Sequence, residues 1–95
     1  MSALSRGLVK TFSGTVGTSP VVVLQQDSQR QFFQIQLTDA NNTLAYTVDG
    51  STPAINGTGK TLTSLASETR SVYVPTGAIT VIGSGSNTAF YIEWA

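Results

Sequence analysis

A chain of 95 residues falls within the size range of one domain and leaves nothing over for a second core, so residues 1–95 read as a single β domain. Five basic and five acidic side chains cancel and charged residues make up only 11% of the sequence, which excludes a basic face for phosphate backbones and hence a nucleic-acid partner. With no Cys there is neither a disulfide framework nor a thiolate site, and no apolar run approaches the ~20 residues of a membrane span or forms a signal core, so no membrane partner and synthesis in the cytoplasm are expected.

β-Branched residues and turn formers recur along the chain, and no eleven-residue window keeps apolar side chains at helical spacing, so strands are expected throughout. Residues 8–12 read as a first strand. Gly14 to Pro20 read as a turn-rich connection, and residues 1–17 as an extended N-terminal arm expected to meet a partner or a sister subunit. The run Val21-Val22-Val23-Leu24 follows. From Arg30 to Thr38 the alternation is clear: Phe33, Ile35 and Leu37 point one way, Gln34, Gln36 and Thr38 the other. Asp39-Ala40-Asn41-Asn42 is turn chemistry, and Thr43 to Val48 resumes with Leu44, Tyr46 and Val48 on one side, so the two segments predict a hairpin.

Asp49-Gly50-Ser51-Thr52-Pro53 breaks the strand and opens a loop through Gly59. Thr61 to Leu65, Arg70 to Val74, Ala78 to Gly83 and Thr88 to Trp94 complete the series, and Ser64 to Glu68 tolerate one helical turn. Ile79, Val81 and Ile82 place apolar groups on both faces, as in a central strand. The pattern predicts an all-β fold, an antiparallel β-sandwich or jelly-roll-like barrel of seven to eight short strands.

Polarity comes from eleven Ser, fourteen Thr and scattered Asn and Gln, which lie against a partner without the desolvation cost of an ion. A chain this short still exposes roughly a third of its unfolded surface, which favours an oligomer. Ala54 to Thr61 fits a relaxed phosphate-loop pattern, but Pro53 precedes it and a strand-like Thr61-Leu62-Thr63 follows, so a Gly-rich hairpin loop is the reading. Acid–base chemistry would fall to Asp27, Asp39, Asp49, Glu68 and Glu93, since His is absent. Asp39 and Asp49 sit where carboxylates cap turns, so the chain is read as no enzyme. Asp39-Ala40-Asn41-Asn42 lacks the spacing, Gly and terminal Glu of a calcium loop, and no metal or cofactor is expected. Asn41-Asn42-Thr43 and Asn56-Gly57-Thr58 read as loop asparagines. The residues assigned to partner contact are Phe12, Phe32, Gln34, Gln36, Tyr73 and Tyr91, from aromatic anchors and polar strand faces, with core packing as the competing role of the aromatics.

Leu44-Ala45-Tyr46-Thr47-Val48-Asp49-Gly50-Ser51-Thr52-Pro53, the turn Val74-Pro75-Thr76-Gly77-Ala78-Ile79 and the C-terminal Phe90-Tyr91-Ile92-Glu93-Trp94 together resemble small bacteriophage virion proteins of the capsid decoration (cement) kind. The pattern covers about half of the chain. The resemblance implies a β-sandwich or jelly-roll module on the virion capsid surface, a homotrimer that binds the major capsid protein and reinforces its shell. The string Tyr-Thr-x-Asp-Gly-Ser-Thr-Pro is also similar to Ig-like accessory modules of chitinolytic and other bacterial surface enzymes, which normally belong to longer secreted chains. The alternative function is accordingly a carbohydrate- or receptor-binding β-sandwich module of a phage tail or bacterial surface protein.

Overall fold

In the computed structural model, which describes residues 9–95, the alternation of Phe33, Ile35 and Leu37 becomes the inner face of a sheet, with all three side chains fully buried. Eight strands form: β1 (Lys10–Val16), β2 (Val21–Leu24), β3 (Phe33–Leu37), β4 (Leu44–Thr47), β5 (Lys60–Leu62), β6 (Ser67–Arg70), β7 (Ile79–Gly83) and β8 (Thr88–Trp94). They make two four-stranded sheets, ordered β1-β8-β3-β6 and β2-β7-β4-β5, and every pairing is antiparallel. The pairs β1·β8, β2·β7, β3·β6 and β4·β5 nest one inside the next. That is an antiparallel ribbon wound into a two-sheet sandwich, the jelly-roll arrangement.

The sheets meet over one apolar core. Phe33, Ile35, Leu37, Phe90 and Ile92 come from the first sheet, and Leu44, Tyr46, Leu62, Ile79 and Val81 from the second. The Phe33 and Tyr46 rings lie 6.3 Å apart at 53° across the interface, a tilted geometry that aromatic quadrupoles favour. Burying each of these large side chains stabilises the fold by about 1.5–3 kcal/mol before conformational entropy is charged against it.

The expected hairpin between the third and fourth strands does not form, because β3 and β4 lie in opposite sheets. The six residues Thr38 to Thr43 instead cross the ~10 Å between sheets, so that the two faces bury each other. Asp39 shapes this crossing: its carboxylate accepts the Asn41 backbone N–H at 2.8 Å and the Asn42 Nδ2–H at 2.8 Å.

Other boundaries move for local reasons. β1 runs to Val16, so residues 10–16 of the stretch read as an arm belong to a sheet, while residues 1–8 lie outside the described residues. No helical turn forms at Ser64 to Glu68. Ser64 and Leu65 both take positive φ, 56° and 61°, and the Ala66 N–H donates to the Thr63 carbonyl at 3.0 Å, a tight turn that carries the chain from β5 in one sheet to β6 in the other. β6 therefore starts at Ser67, earlier than Arg70, and Ser71 to Val74 form an irregular connection instead of strand. β7 lies between β2 and β4, as its two-faced apolar pattern required.

One buried cation fastens the loops at an end of the sandwich. Arg30 Nη1 donates to the carbonyls of Pro75 and Gly77 at 2.7 and 3.0 Å, and Nη2 to that of Gln25 at 2.8 Å. Its Nε has no hydrogen-bond partner. Burial draws the guanidinium pKa down and Asp27 opposes that, yet arginine keeps its charge at any ordinary pH. Arg30→Met strands three carbonyls and is expected to cost about 3 kcal/mol, read as a lower urea midpoint at unchanged m-value. Arg30→Lys should fall between the two, because an ammonium cannot reproduce the planar fork.

Candidate protein-docking face

The polar half of each alternating strand in the first sheet lands on its outer side, and the register sets those side chains in rows. One row crosses the sheet as Ser13, Tyr91, Gln36 and Ser67, and the next as Thr11, Glu93, Gln34 and Thr69. All eight are at least partly open to solvent. Glu93 is the only ionisable carboxylate in these rows, and its Oε2 accepts the Tyr91 hydroxyl at 2.5 Å. That hydrogen bond, with some burial and the nearby negative charge, raises the Tyr91 pKa, so the phenol stays protonated. The face is thus a flat array of hydroxyls and amides on four hydrogen-bonded strands, with little net charge and little freedom to rearrange.

The outer side of the second sheet is closed by contrast. All four residues of β4 are buried, Ala45 and Thr47 on the side away from the core included, and Thr80 opposite Thr47 is buried too. The loop from Val48 to Gly59 folds back here: the Thr47 hydroxyl donates to the Ser51 carbonyl at 2.5 Å, and Pro53 is fully buried. Asp49 rigidifies the loop by accepting the Ser51 backbone N–H at 3.0 Å and its hydroxyl at 2.6 Å, and these bonds hold its pKa below the usual carboxylate value. Gly59, at φ +98°, lies so close to β4 that a Cβ would stand 2.4 Å from the Tyr46 carbonyl oxygen. The Gly-rich string before β5 is therefore the hairpin loop of β4 and β5, with no helix following it to bind a phosphate.

The structure gathers three of the residues assigned to partner contact, Gln34, Gln36 and Tyr91, on the open face. Phe32 precedes β3, half-buried, with its backbone N–H and carbonyl both bonded to Ala95. Phe12 projects from the other side of β1, where its ring lies 6.0 Å from Phe90. Tyr73 stands apart: it is 92% exposed, at φ +58°, in the connection after β6. Thr11 and Ser13 lie in the arm that the sequence assigned to contact, whereas Ser67, Thr69 and Glu93 were not singled out for it. The alternation of Thr11, Ser13 and Thr15 with Phe12 and Val16 held the signal for β1.

The acids are dispersed. Asp39 caps a turn, its pKa lowered by the Asn41 and Asn42 hydrogen bonds. Among the described residues no group of three His, Cys, Asp or Glu side chains is placed to hold a metal ion. Glu68 points inward beside Ile35 and closes the sandwich at the β5 and β6 edges. Its Oε1 accepts the Tyr46 hydroxyl at 3.0 Å and lies 3.3 Å from Lys60 Nζ, while Oε2 lies 3.1 Å from Arg70 Nη2. Burial alone would raise the Glu68 pKa, but the bonds from Tyr46, Lys60 and Arg70 outweigh it and hold it below the usual value. Burial, then the bond to Glu68, pushes the Tyr46 phenol far above its ordinary range.

The sign for stability follows from linkage: a carboxyl whose folded pKa is depressed contributes fully above its unfolded pKa, about 4.3, and that contribution is lost as pH falls through the folded value. Thermal melts should therefore fall as pH drops below about 4.3, and Glu68→Gln should lower the melting temperature at pH 7 while flattening that acid slope. Tyr46→Phe should cost about 1 kcal/mol at pH 7, and combining it with Glu68→Gln should cost less than the sum. No protein-family model, curated protein or solved structure matches this chain.

Proposed function

We propose that this chain is a non-catalytic structural protein of a bacteriophage particle, a capsid decoration protein that attaches to the major capsid protein through the outer face of the β1-β8-β3-β6 sheet. The observation that carries this reading is the asymmetry of the sandwich. One outer face is sealed by the chain's own loop, whereas the other is left open across four strands among the described residues and is almost free of charge. Hydroxyls and amides on a rigid sheet lose little on desolvation when a partner supplies matching groups, and they repel no neighbour of either sign. Each contact is weak, and a symmetric shell multiplies it.

Two further features support the reading. The jelly-roll winding recurs among viral capsid domains, although as a fold it is shared with lectins and carries only the weight of analogy. The resemblance to decoration proteins rests in part on Leu44 to Pro53, which here forms β4 and the Asp49 turn that covers the second sheet. A second reading, a carbohydrate-binding module, is favoured by the Tyr91 ring lying among Gln34, Gln36 and several hydroxyls, a donor and acceptor set that suits a sugar.

Particles produced without this chain should lack surface density by electron microscopy and regain it when the purified protein is added. Gln36→Arg, which sets a cation in the middle of the face, should weaken reattachment by at least about tenfold without lowering the melting temperature. Particles of unchanged appearance, or reattachment of Gln36→Arg at wild-type strength, would reject the capsid reading. Specific retention on a glycan array, lost in Tyr91→Ala, would select the second.

A further inference from the structure

We infer that the β1 edge is a self-association site, at which two copies of this chain pair antiparallel through Thr11–Thr15 and join their open faces into one eight-stranded sheet. The inference concerns how copies meet each other and holds whatever the face binds.

It begins with the four edges of the sandwich. β5 has three residues and opens on exposed Lys60. β6 has four and turns Glu68 and Arg70 inward. β2 has four, follows Pro20, and is broken by a register shift between Val22 and Leu24. Short length, inward charge, proline and bulges are the devices by which sheets prevent edge pairing. β1 carries none of them. It is seven residues long, pairs with β8 in unbroken register, and has one charge, Lys10, at its very start. At its far end Val16 turns into the core, and the Gly17 carbonyl accepts the Gly83 N–H from the second sheet at 2.8 Å, so the edge left free among the described residues is the stretch before it.

That stretch is complementary to itself. With the two-fold axis at Ser13, Thr11 faces Thr15 of the second copy, Ser13 faces Ser13, and Phe12 faces Gly14. Threonine pairs and an aromatic opposite a glycine are favourable cross-strand neighbours. Phe12 already lies along its own strand over Gly14, where a Cβ would come within 2.7 Å of its ring, so the site has room for a flat side chain and none for a branched one. The charges agree as well. Antiparallel pairing puts the two Lys10 residues six residues apart along the ladder, about 20 Å, beyond the roughly 8 Å screening length at physiological salt, whereas parallel pairing would set them side by side.

On the core side of β1, a groove of about 300 Å³ opens between β1 and β2, lined by Phe12, Val21, Val23, Phe90 and Trp94. Phe12 and Val21 are 48% and 49% exposed there, on strands that flank the groove, whereas the exposed Leu65, Val72 and Tyr73 lie in the connections before and after β6. Pairing at β1 brings the two grooves together across the axis and covers Phe12. Because that axis runs perpendicular to the sheet, both docking faces stay on the same side. The product is a dimer, where the resemblance to decoration proteins implied a trimer.

Sedimentation equilibrium across about 1 μM to 1 mM tests this, with circular dichroism to verify folding. The wild type should move from 10.0 kDa to twice that mass. Ser13→Lys and Ser13→Glu each place like charges on the axis and should stay monomeric at the top of the range. An equal mixture of the two should recover the dimer. Should either variant fail to fold, hydrogen exchange of the wild type decides, because amides of Thr11–Thr15 should gain protection as concentration rises while those of β6 do not. A wild type that stays monomeric, a trimer, a dimer indifferent to Ser13→Lys, or exchange independent of concentration in β1 would overturn the inference.

Discussion

The burial of one apolar sheet face against another is the interaction on which the rest of this structure depends. Phe33, Ile35, Leu37, Phe90 and Ile92 on one side and Leu44, Tyr46, Ile79 and Val81 on the other form a core one layer thick, with no disulfide to reinforce it. The winding of the chain follows from that need. Consecutive strands β3 and β4 cross from sheet to sheet, and their apolar faces meet across the core. The polar faces are then turned outward on both sides, and what happens to each outer face is a separate matter.

The edges of such a sandwich are its weak places, where the core meets water and backbone groups lack partners. This molecule treats its two open edges differently. At the β5 and β6 edge, Glu68 is fixed by Tyr46, Lys60 and Arg70, so the interior ends in a satisfied polar cluster whose charges discourage strand addition. At the β1 and β2 edge the interior ends in Phe12, Val21 and Trp94 around an open groove. The same contrast separates the two outer faces: a loop pinned by Asp49 and admitted by Gly59 covers one, and nothing among the described residues covers the other. Surfaces left open in a protein that closes their counterparts are where partners are to be sought.

Much of this was legible along the chain. The all-β class and a series of seven to eight short strands, eight in the structure, follow from β-branched residues and period-two alternation, which are local properties. The burial of Phe33, Ile35 and Leu37 and the turn-capping of Asp39 and Asp49 were legible for the same reason, since each depends on neighbours within two or three residues. Gln34, Gln36 and Tyr91 could be chosen from strand parity alone. The start of β6 was not legible, because Ser64 and Leu65 take positive φ without being glycine, a cost that only the crossing between sheets repays.

Strand pairing belonged to the tertiary structure. Alternation fixes which side chains share a face but carries no information on which strand lies beside which, so β3 and β4 read equally well as a hairpin or as opposed layers. The rows of the open face, the bond from Tyr46 to Glu68 and the bonds from Arg30 to the Pro75 and Gly77 carbonyls all join residues far apart in sequence, and their chemistry exists only once the ribbon is wound. The sequence by itself determined what each strand hides and displays, because that is set within a few residues. Which displayed side chains stand together, and which edge stays open, was decided by the packing of two sheets over one core.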